Sequence, residues 1–281
     1  MIAVPSLPQA LDAGLRGQRD EWDDSRLHIS DLAVAIGEKC ARQLWLRLQG
    51  AEKKPESTGV LLMWDNGQRM HERLVEVMRS SLNNGWKIQA VEKQVELSGI
   101  TGRFDTRLWH DGEGWEIIVD FKTLRGRAFG YLEEARPAHV LQVQAYIMAA
   151  DADGGLVFYA DREGQNACKQ FYVQRDDEEV KMAIANTRVM ISCEPGILSP
   201  VLVVAKNKGP DSVRLKMPWQ CDYCEYCGPS CPGALPPKMR DLGIVGHVDG
   251  DGNFVPKVKD TEVVSVVETL LDMSGYSPIP F

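Results

Sequence analysis

The chain has 281 residues, of which 44% are hydrophobic and 26% are charged. A chain of this size and composition has enough apolar residues for a globular core, in one large domain or two small ones. The N-terminal segment lacks a basic start followed by an apolar stretch, and no run approaches the ~20 apolar residues that cross a bilayer. We therefore expect a cytoplasmic protein that has no contact with a membrane.

The 32 basic and 40 acidic residues leave a formal net charge of -8. This balance excludes a protein whose whole surface is basic, which is the usual sign of a nucleic-acid binder. Any binding of nucleic acid must therefore use a local cleft. Basic residues gather in "DFKTLRGRAFGYLEEAR", residues 120–136, and this stretch is the candidate for such a cleft.

Hydrophobic periodicity predicts the order of secondary-structure elements. Apolar residues at helical spacing predict helices, and alternating stretches rich in β-branched and aromatic residues predict strands. In chain order these are a short helix capped by Ser30, a helix over 58–84, strands over 86–99, 100–110 and 114–123, a helix over 138–150, strands over 154–161 and 169–176, and helices over 177–192 and 262–273. This order predicts one α/β core with a mixed sheet.

The stretch "GRFDTRLWHDGEGWEIIVDFKT" carries the clearest chemical signal. We expect Asp105 near the end of one strand and Asp120 and Lys122 on the next, where residues two apart share a face of the sheet. Two carboxylates that converge across neighbouring strands form an oxygen-rich site for Mg²⁺ or Mn²⁺. A lysine beside that site can orient or activate an attacking water, as in a phosphodiesterase.

These residues resemble the motif of the PD-(D/E)XK nuclease superfamily, in its RecB-like branch. Thr123 after the lysine fits that branch, and "GQRMH", with Gly67 and His71, is similar to its G-x-x-x-H motif. "QVQAY" is similar to its Q-x-x-x-Y motif. The resemblance implies a restriction-endonuclease-like core, with a mixed central sheet flanked by helices. It also implies a set of metal ligands: His71, Asp105, Asp120 and the carbonyl of Phe121. Lys122 would position or deprotonate the water, and Gln142 and Tyr146 would orient Lys122 or the DNA backbone.

Four of the seven cysteines lie in "CDYCEYCGPSCP", residues 221–232. In a reducing cytosol such crowding favours a metal or cluster site over disulfides. The spacing is like half of a two-cluster ferredoxin, so a remote ligand is expected. A self-contained zinc site is the alternative, formed by all four of these cysteines: Cys221, Cys224, Cys227 and Cys231.

One subgroup of the RecB-like nucleases, which includes AddB-type helicase-nucleases and exonucleases of CRISPR adaptation, holds a [4Fe-4S] cluster with one upstream and three downstream cysteines. This sequence is similar to that subgroup. The resemblance implies an iron–sulfur staple with four ligands: Cys40, Cys221, Cys224 and Cys231. The last spacing is one residue longer than in the subgroup, so Cys227 is an alternate ligand. The resemblance covers residues 28–232, with 1–27 as an N-terminal extension and 233–281 as a C-terminal appendage.

The implied function is that of a metal-dependent exonuclease for single-stranded or end-processed DNA, in recombination, repair, phage DNA metabolism or CRISPR spacer acquisition. Arg125 and Arg127, with Phe129 and Tyr131, could carry the strand by charge and stacking. Because the surface is acidic, a protein partner could deliver the DNA. A non-cleaving DNA-binding protein of the same fold and an iron–sulfur redox or electron-transfer protein are the alternatives. The sequence does not give the oligomeric state.

Overall fold

The computed structural model describes residues 7–17, 24–163, 168–193, 206–207, 212–231, 233, 235, 237–251 and 253–273. Its helices are α1 (Leu7–Gly17), a 3₁₀ helix (Ile29–Val34), α2 (Ala41–Leu48), α3 (Thr58–Ser81), α4 (Gly126–Gly130), α5 (Pro137–Ala150), α6 (Asp177–Ser192), α7 (Trp219–Asp222), α8 (Pro237–Arg240) and α9 (Thr261–Met273). Its strands are β1 (Trp86–Leu97), β2 (Ile100–His110), β3 (Glu116–Leu124), β4 (Gly154–Asp161), β5 (Cys168–Gln174), β6 (Lys206–Asn207), β7 (Val213–Arg214), β8 (Ile244–Val248) and β9 (Phe254–Pro256). Among the described helices, none is long and apolar enough to cross a membrane.

The first five strands form one mixed sheet in the order β1-β2-β3-β4-β5. Strands β3 and β4 are parallel, and every other neighbouring pair is antiparallel. The parallel pair follows from the connection, because a chain that returns through a helix enters the sheet in the same direction. The prediction of an α/β core with a mixed sheet is confirmed.

Helices cover both faces of the central strand β3, as its apolar run "IIV" requires. Ile118 packs with Val143 and Ile147 of α5 in one buried cluster. Val119 belongs to a second cluster, which also contains Val75 of α3. Successive residues of a strand point to opposite faces, so this run fixes α5 on one side of the sheet and α3 on the other.

Helix α1 lies in the stretch predicted as an N-terminal extension. Arg16 donates to the Glu56 carbonyl oxygen at 2.7 Å, and the Thr58 hydroxyl donates to Asp12 at 2.7 Å. These contacts join α1 to the start of α3 within the same compact unit.

The chain divides into two compact units. The first contains Met1–Glu38 and Pro55–Met190, and the second contains Lys39–Lys54 and Ile191–Phe281. The second has its own antiparallel sheet, in the order β6-β7-β8-β9, and a core that includes Val213, Val245 and Val267.

The predicted boundary after residue 232 falls inside this second unit, because Val213 on β7 pairs with Gly246 on β8. Strands β6 and β7 have only two residues each, which is too short for an alternating pattern to show. The second sheet was therefore not predicted, although the helix over 262–273 was.

Close packing between α5 and the sheet depends on Gly155 in β4. A Cβ there would lie 3.0 Å from the Ile118 carbonyl oxygen and 3.1 Å from Ile147 Cδ1. We expect Gly155→Ala to lower the free energy of unfolding by about 1–3 kcal/mol, since the helix must move away from the sheet.

The control is Gly67→Ala on α3, where no atom lies within 4 Å of the added Cβ. That change should raise the free energy of unfolding by about 0.5–1 kcal/mol, because alanine favours a helix over glycine. Urea denaturation of both variants checks the prediction, and equal effects of the same sign would contradict it.

Candidate functional site

The candidate site lies where β2 and β3 stop pairing. Their register runs from Trp109↔Glu116 to Thr106↔Val119 and goes no further. Beyond this point the Phe121 N–H donates to Asp105 Oδ2 at 2.6 Å. The side chain of Asp105 therefore accepts the hydrogen bond that a backbone carbonyl of β2 would accept in a regular sheet. Asp105 lies in the middle of β2 rather than near its end as expected, and its carboxylate fills the gap between the two strands.

Helix α3 brings His71 to the same gap. Its Nδ1 lies 3.6 Å from Asp105 Oδ2, and its ring packs on Phe121 with centroids 5.6 Å apart. Burial acts to lower the pKa of His71, but the nearby carboxylate of Asp105 outweighs it and raises the pKa. His71 therefore favours a proton or another cation beside Asp105.

Asp120 is the most deeply buried acid of the site, with 2% of its surface exposed. Lys122 Nζ lies 2.7 Å from its Oδ2, but no hydrogen bond of good geometry reaches that oxygen. Burial raises the pKa of Asp120 to about 6. A buried carboxylate is expensive to ionise without a cation beside it, and Lys122 supplies that cation here.

Lys122 is held from the opposite side by α5. Its Nζ donates to Gln142 Oε1 at 3.1 Å, and Gln142 Nε2 donates to the Tyr146 hydroxyl at 3.2 Å. Burial acts to lower the pKa of Lys122, but the carboxylates of Asp120 and Asp105 outweigh it, so its pKa is raised. Asp120, Lys122, Gln142 and Tyr146 thus form one row of contacts, in which Lys122 bridges Asp120 and Gln142. Asp105 lies outside this row and contacts Phe121 and His71.

Glu92 was not predicted for this site, yet it lies beside His71 and Asp105. One ligand atom from each of the three residues lies within 4.8 Å of the others, the only such group of three or more histidine, cysteine or acidic residues in the part of the chain that the structure describes. The sequence offers no motif for Glu92. Its only sign is a local one, in that the apolar pair Ala90-Val91 breaks the alternation just before it.

The backbone at Glu92 is left-handed, with a φ of 49° in the middle of β1. Its neighbours Val91 and Lys93 still pair with Thr106 and Phe104 of β2, so Glu92 stands opposite Asp105. Such a backbone at a residue other than glycine costs about 1–3 kcal/mol, and residues of this kind concentrate at functional sites.

His139, which matches no motif, lies close to the site but has a structural role, because it is hydrogen-bonded to Tyr159. The Arg136 N–H donates to the Tyr159 hydroxyl oxygen at 3.0 Å, so the hydroxyl proton is directed to His139 Nδ1, 2.7 Å away. Burial, and then the charges of Lys122 and Arg136, lower the pKa of His139 to about 3. It is therefore neutral at physiological pH and joins α5 to β4.

The residues predicted to contact DNA separate into two groups. Arg125 and Arg127 are exposed, and 81% of the surface of Tyr131 is exposed. Phe129 is 2% exposed and belongs to the core, so it cannot stack on a base. Of the two aromatic residues that were expected to stack on DNA bases, only Tyr131 is accessible.

Six of the seven cysteine residues belong to the second unit, whereas Cys168 lies on β5 in the first. Five of them line one pocket: Cys40, Cys221, Cys224, Cys227 and Cys231. Cys40 precedes α2 as its N-cap residue, and each of Cys224 and Cys227 donates its N–H to the carbonyl of the cysteine three residues earlier. The chain therefore brings the remote cysteine to the downstream run, although no disulfide is formed.

Hydrogen bonds hold the two chain segments of this pocket together. The Lys54 N–H donates to the Glu225 carbonyl at 2.8 Å, and its ammonium donates to the Cys227 carbonyl. The Ser230 hydroxyl donates to the Glu52 carbonyl at 2.7 Å. Burial raises the pKa of Cys224 to about 11, so this thiol stays protonated unless a metal binds it.

Residues 28–232 match the family model PDDEXK_1, which describes the PD-(D/E)XK nuclease superfamily, and the chain belongs to this superfamily. Nucleases of this superfamily use divalent metals. No curated protein matches the chain in sequence.

The solved structures that are similar to the chain include the following three. SSO0001 has 16% identity and a TM-score of 0.48, with 82% of this chain and 95% of that chain covered. The alkaline exonuclease LHK-Exo from Laribacter hongkongensis has 10% identity and a TM-score of 0.45, covering 66% and 91%. A phage related exonuclease from Haemophilus somnus 129PT has 16% identity and a TM-score of 0.44, covering 59% and 93%.

The affinity of this site for a divalent cation should depend on pH. Protons compete with the cation for Asp120, whose metal-free pKa is about 6, and for His71, whose pKa is raised. We expect Mn²⁺ affinity to increase as the pH rises through about 6, where Asp120 loses its proton, and to increase further at higher pH, because the raised pKa of His71 delays the loss of its proton. Calorimetric titration at several pH values checks this, and an affinity that falls or stays constant would contradict it.

Proposed function

We propose that this protein is a divalent-metal-dependent exonuclease that acts on single-stranded DNA or on frayed DNA ends. The observation that carries the proposal is the row of the buried Asp120 and the half-buried Lys122 and Gln142, beside His71 and Asp105. A protein that only binds DNA has no need of a lysine held between a buried carboxylate and an amide.

The residues fit a divalent cation on chemical grounds. Carboxylate and carbonyl oxygens with one imidazole suit Mn²⁺ and Mg²⁺, and the Asp120 carboxylate, which is paired with Lys122, supplies a further oxygen. We assign the ligands to four residues: His71, Asp105, Asp120 and the carbonyl of Phe121. When bound, the cation supplies a Lewis acid that offsets charge on the phosphate and acidifies water.

Lys122 acts as a hydrogen-bond donor that orients the attacking water or a phosphate oxygen. Its raised pKa favours this role over that of a general base, because the ammonium keeps its proton beside Asp120. Gln142 fixes the direction of the ammonium, and Tyr146 fixes Gln142 in turn. Tyr146 itself stays neutral, since burial raises the pKa of its hydroxyl.

The DNA strand is carried by Arg125, Arg127 and Tyr131. All three are exposed and follow β3 directly, within ten residues of Lys122. Arginines bind phosphates and an exposed tyrosine stacks on a base without regard to sequence. This local surface is compatible with a net charge of -8, although delivery of the DNA by a protein partner remains part of the proposal.

The proposal extends to a [4Fe-4S] cluster held by the cysteine pocket, and with it to membership of the RecB-like iron–sulfur branch, which includes AddB-type and CRISPR-adaptation nucleases. A tetrahedral zinc site needs sulfurs about 4 Å apart. Among the described cysteines, no three sulfurs lie within 4.8 Å of one another, which disfavours a zinc site. We assign the ligands to Cys40, Cys221, Cys224 and Cys231.

Cys231 is preferred over Cys227 for its surroundings. It is 7% exposed, and the Gly233 N–H lies 3.4 Å from its sulfur as a donor. Backbone N–H groups that point at sulfur are a common feature of cluster sites. Cys227 is more exposed and remains the alternate ligand.

The nuclease proposal predicts loss of cleavage in Lys122→Met. We expect the wild type to degrade end-labelled linear single-stranded DNA with Mn²⁺ and to leave circular DNA intact. The variant should be slower by about 10²–10⁴-fold, because the oriented donor is lost. Lys87→Met, at a lysine whose side chain is 64% exposed, is the control and should retain full activity.

Each result of this assay has a definite meaning. Wild-type protein that binds DNA without cleaving it would support a non-cleaving binder. Cleavage of circular DNA would indicate an endonuclease, and full activity in Lys122→Met would show that the active site lies elsewhere.

The cluster proposal predicts a brown protein with about four iron atoms per chain after anaerobic purification. Cys40→Ser and Cys231→Ser should lose the iron, while Cys227→Ser should keep it. Cys168→Ser, at an exposed cysteine on β5, is the matched control. Colourless protein that contains zinc would contradict the cluster, and a brown protein without nuclease activity would support a redox function.

A further inference from the structure

We propose that Glu92 is a further ligand of the divalent cation, on the side of the site formed by His71 and Asp105. This inference rests on the proposed function and adds to it a residue that no motif marks. One ligand atom of each of these three residues lies within 4.8 Å of the others, a separation that one cation can bridge. An imidazole and two carboxylates provide the donor types that Mn²⁺ accepts.

The neighbouring carboxylates favour a cation here over a chance cluster of acids. Asp120 is 2% exposed, and although Lys122 Nζ lies 2.7 Å from its Oδ2, that oxygen accepts no hydrogen bond of good geometry. Asp105 already accepts the Phe121 N–H, so its position is fixed by the backbone. The site thus has a rigid centre to which Glu92 adds a second carboxylate.

The backbone explains how Glu92 reaches the site. In a regular strand its side chain would alternate with those of Val91 and Lys93, but Val91, Glu92 and the preceding Ala90 are all half-buried. The left-handed conformation at φ 49° breaks the alternation opposite Asp105. A glycine would adopt this conformation without strain. The presence of a glutamate at this position therefore indicates a role for its carboxylate.

Arg103 holds the glutamate in place. Its Nε lies 2.8 Å from Glu92 Oε2, and the two side chains are 36% and 28% exposed. An ion pair at this depth restricts the rotation of the carboxylate. Glu92 is thereby positioned at the site by its backbone at one end and by Arg103 at the other.

The test measures Mn²⁺ binding directly, by electron paramagnetic resonance of free Mn²⁺ and by calorimetry. We expect Glu92→Gln to weaken binding at least about tenfold, as the loss of a supporting group does in other metal sites. Glu96→Gln is the matched control, because Glu96 lies on the same strand with an exposed side chain. Asp120→Asn is the reference for the proposed site itself.

The possible outcomes separate this inference from the proposed function. Weaker binding in both Glu92→Gln and Asp120→Asn, with unchanged binding in Glu96→Gln, supports the inference. Weaker binding in Asp120→Asn alone overturns the role of Glu92 and leaves the proposed site intact. Unchanged binding in both, or no binding by the wild type, shows that the proposed metal site itself is wrong.

A second measurement tests the strain. Glu92→Gly should raise the melting temperature of the metal-free protein while weakening Mn²⁺ binding, because glycine relieves the left-handed backbone and removes the carboxylate. Glu96→Gly, at an ordinary strand position, should lower the melting temperature. If Glu92→Gly instead lowers the melting temperature, as Glu96→Gly does, the backbone at Glu92 is not strained. That result would contradict the view that a strained conformation is kept because the carboxylate binds the metal.

Discussion

A carboxylate buried inside an apolar strand is the constraint on which the candidate site depends. Asp120 follows Val119 and precedes Phe121, and these two neighbours are 2% and 1% exposed. A lone charge at such a position is expensive to bury, so the fold must supply compensation. Lys122 supplies it from the same strand, and α5 supplies Gln142 to hold the lysine. The side chains proposed for catalysis, Asp120, Lys122 and Gln142, are therefore also the ones that make the buried charge tolerable to the fold.

The metal-binding side of the site is shaped by departures from a regular sheet. Where β2 and β3 separate, Asp105 replaces a backbone acceptor, and the left-handed Glu92 turns β1 toward the same place. Each departure opens the sheet or lowers its intrinsic stability. The large buried clusters around β3 tolerate this, because they fix both faces of the sheet independently of the site.

The second unit is assembled from chain segments that are far apart in sequence. Lys39–Lys54 joins Ile191–Phe281, and the chain between them forms most of the first unit. Held by Cys40 and the downstream cysteines, a cluster would close a loop of about 180 residues, and closing a loop of this length restricts the unfolded chain strongly. Metal binding would then contribute directly to folding. This gives a physical reason for a cluster in an enzyme whose proposed chemistry needs no electron transfer.

The sequence by itself determined the elements whose signals are local. The helical spacing over 58–84, the alternation in β1 to β3 and the spacing of Asp120 and Lys122 gave the order of the core and one face of its site, because periodicity depends only on neighbouring residues. Only the tertiary structure decided the rest. The position of Glu92 depends on a backbone conformation that β2 stabilises from the opposite strand, the burial of Phe129 depends on the packing of the core, and the pairing of β7 with β8 spans the cysteine run. Contacts of this kind join residues distant in the chain, and no local pattern encodes them.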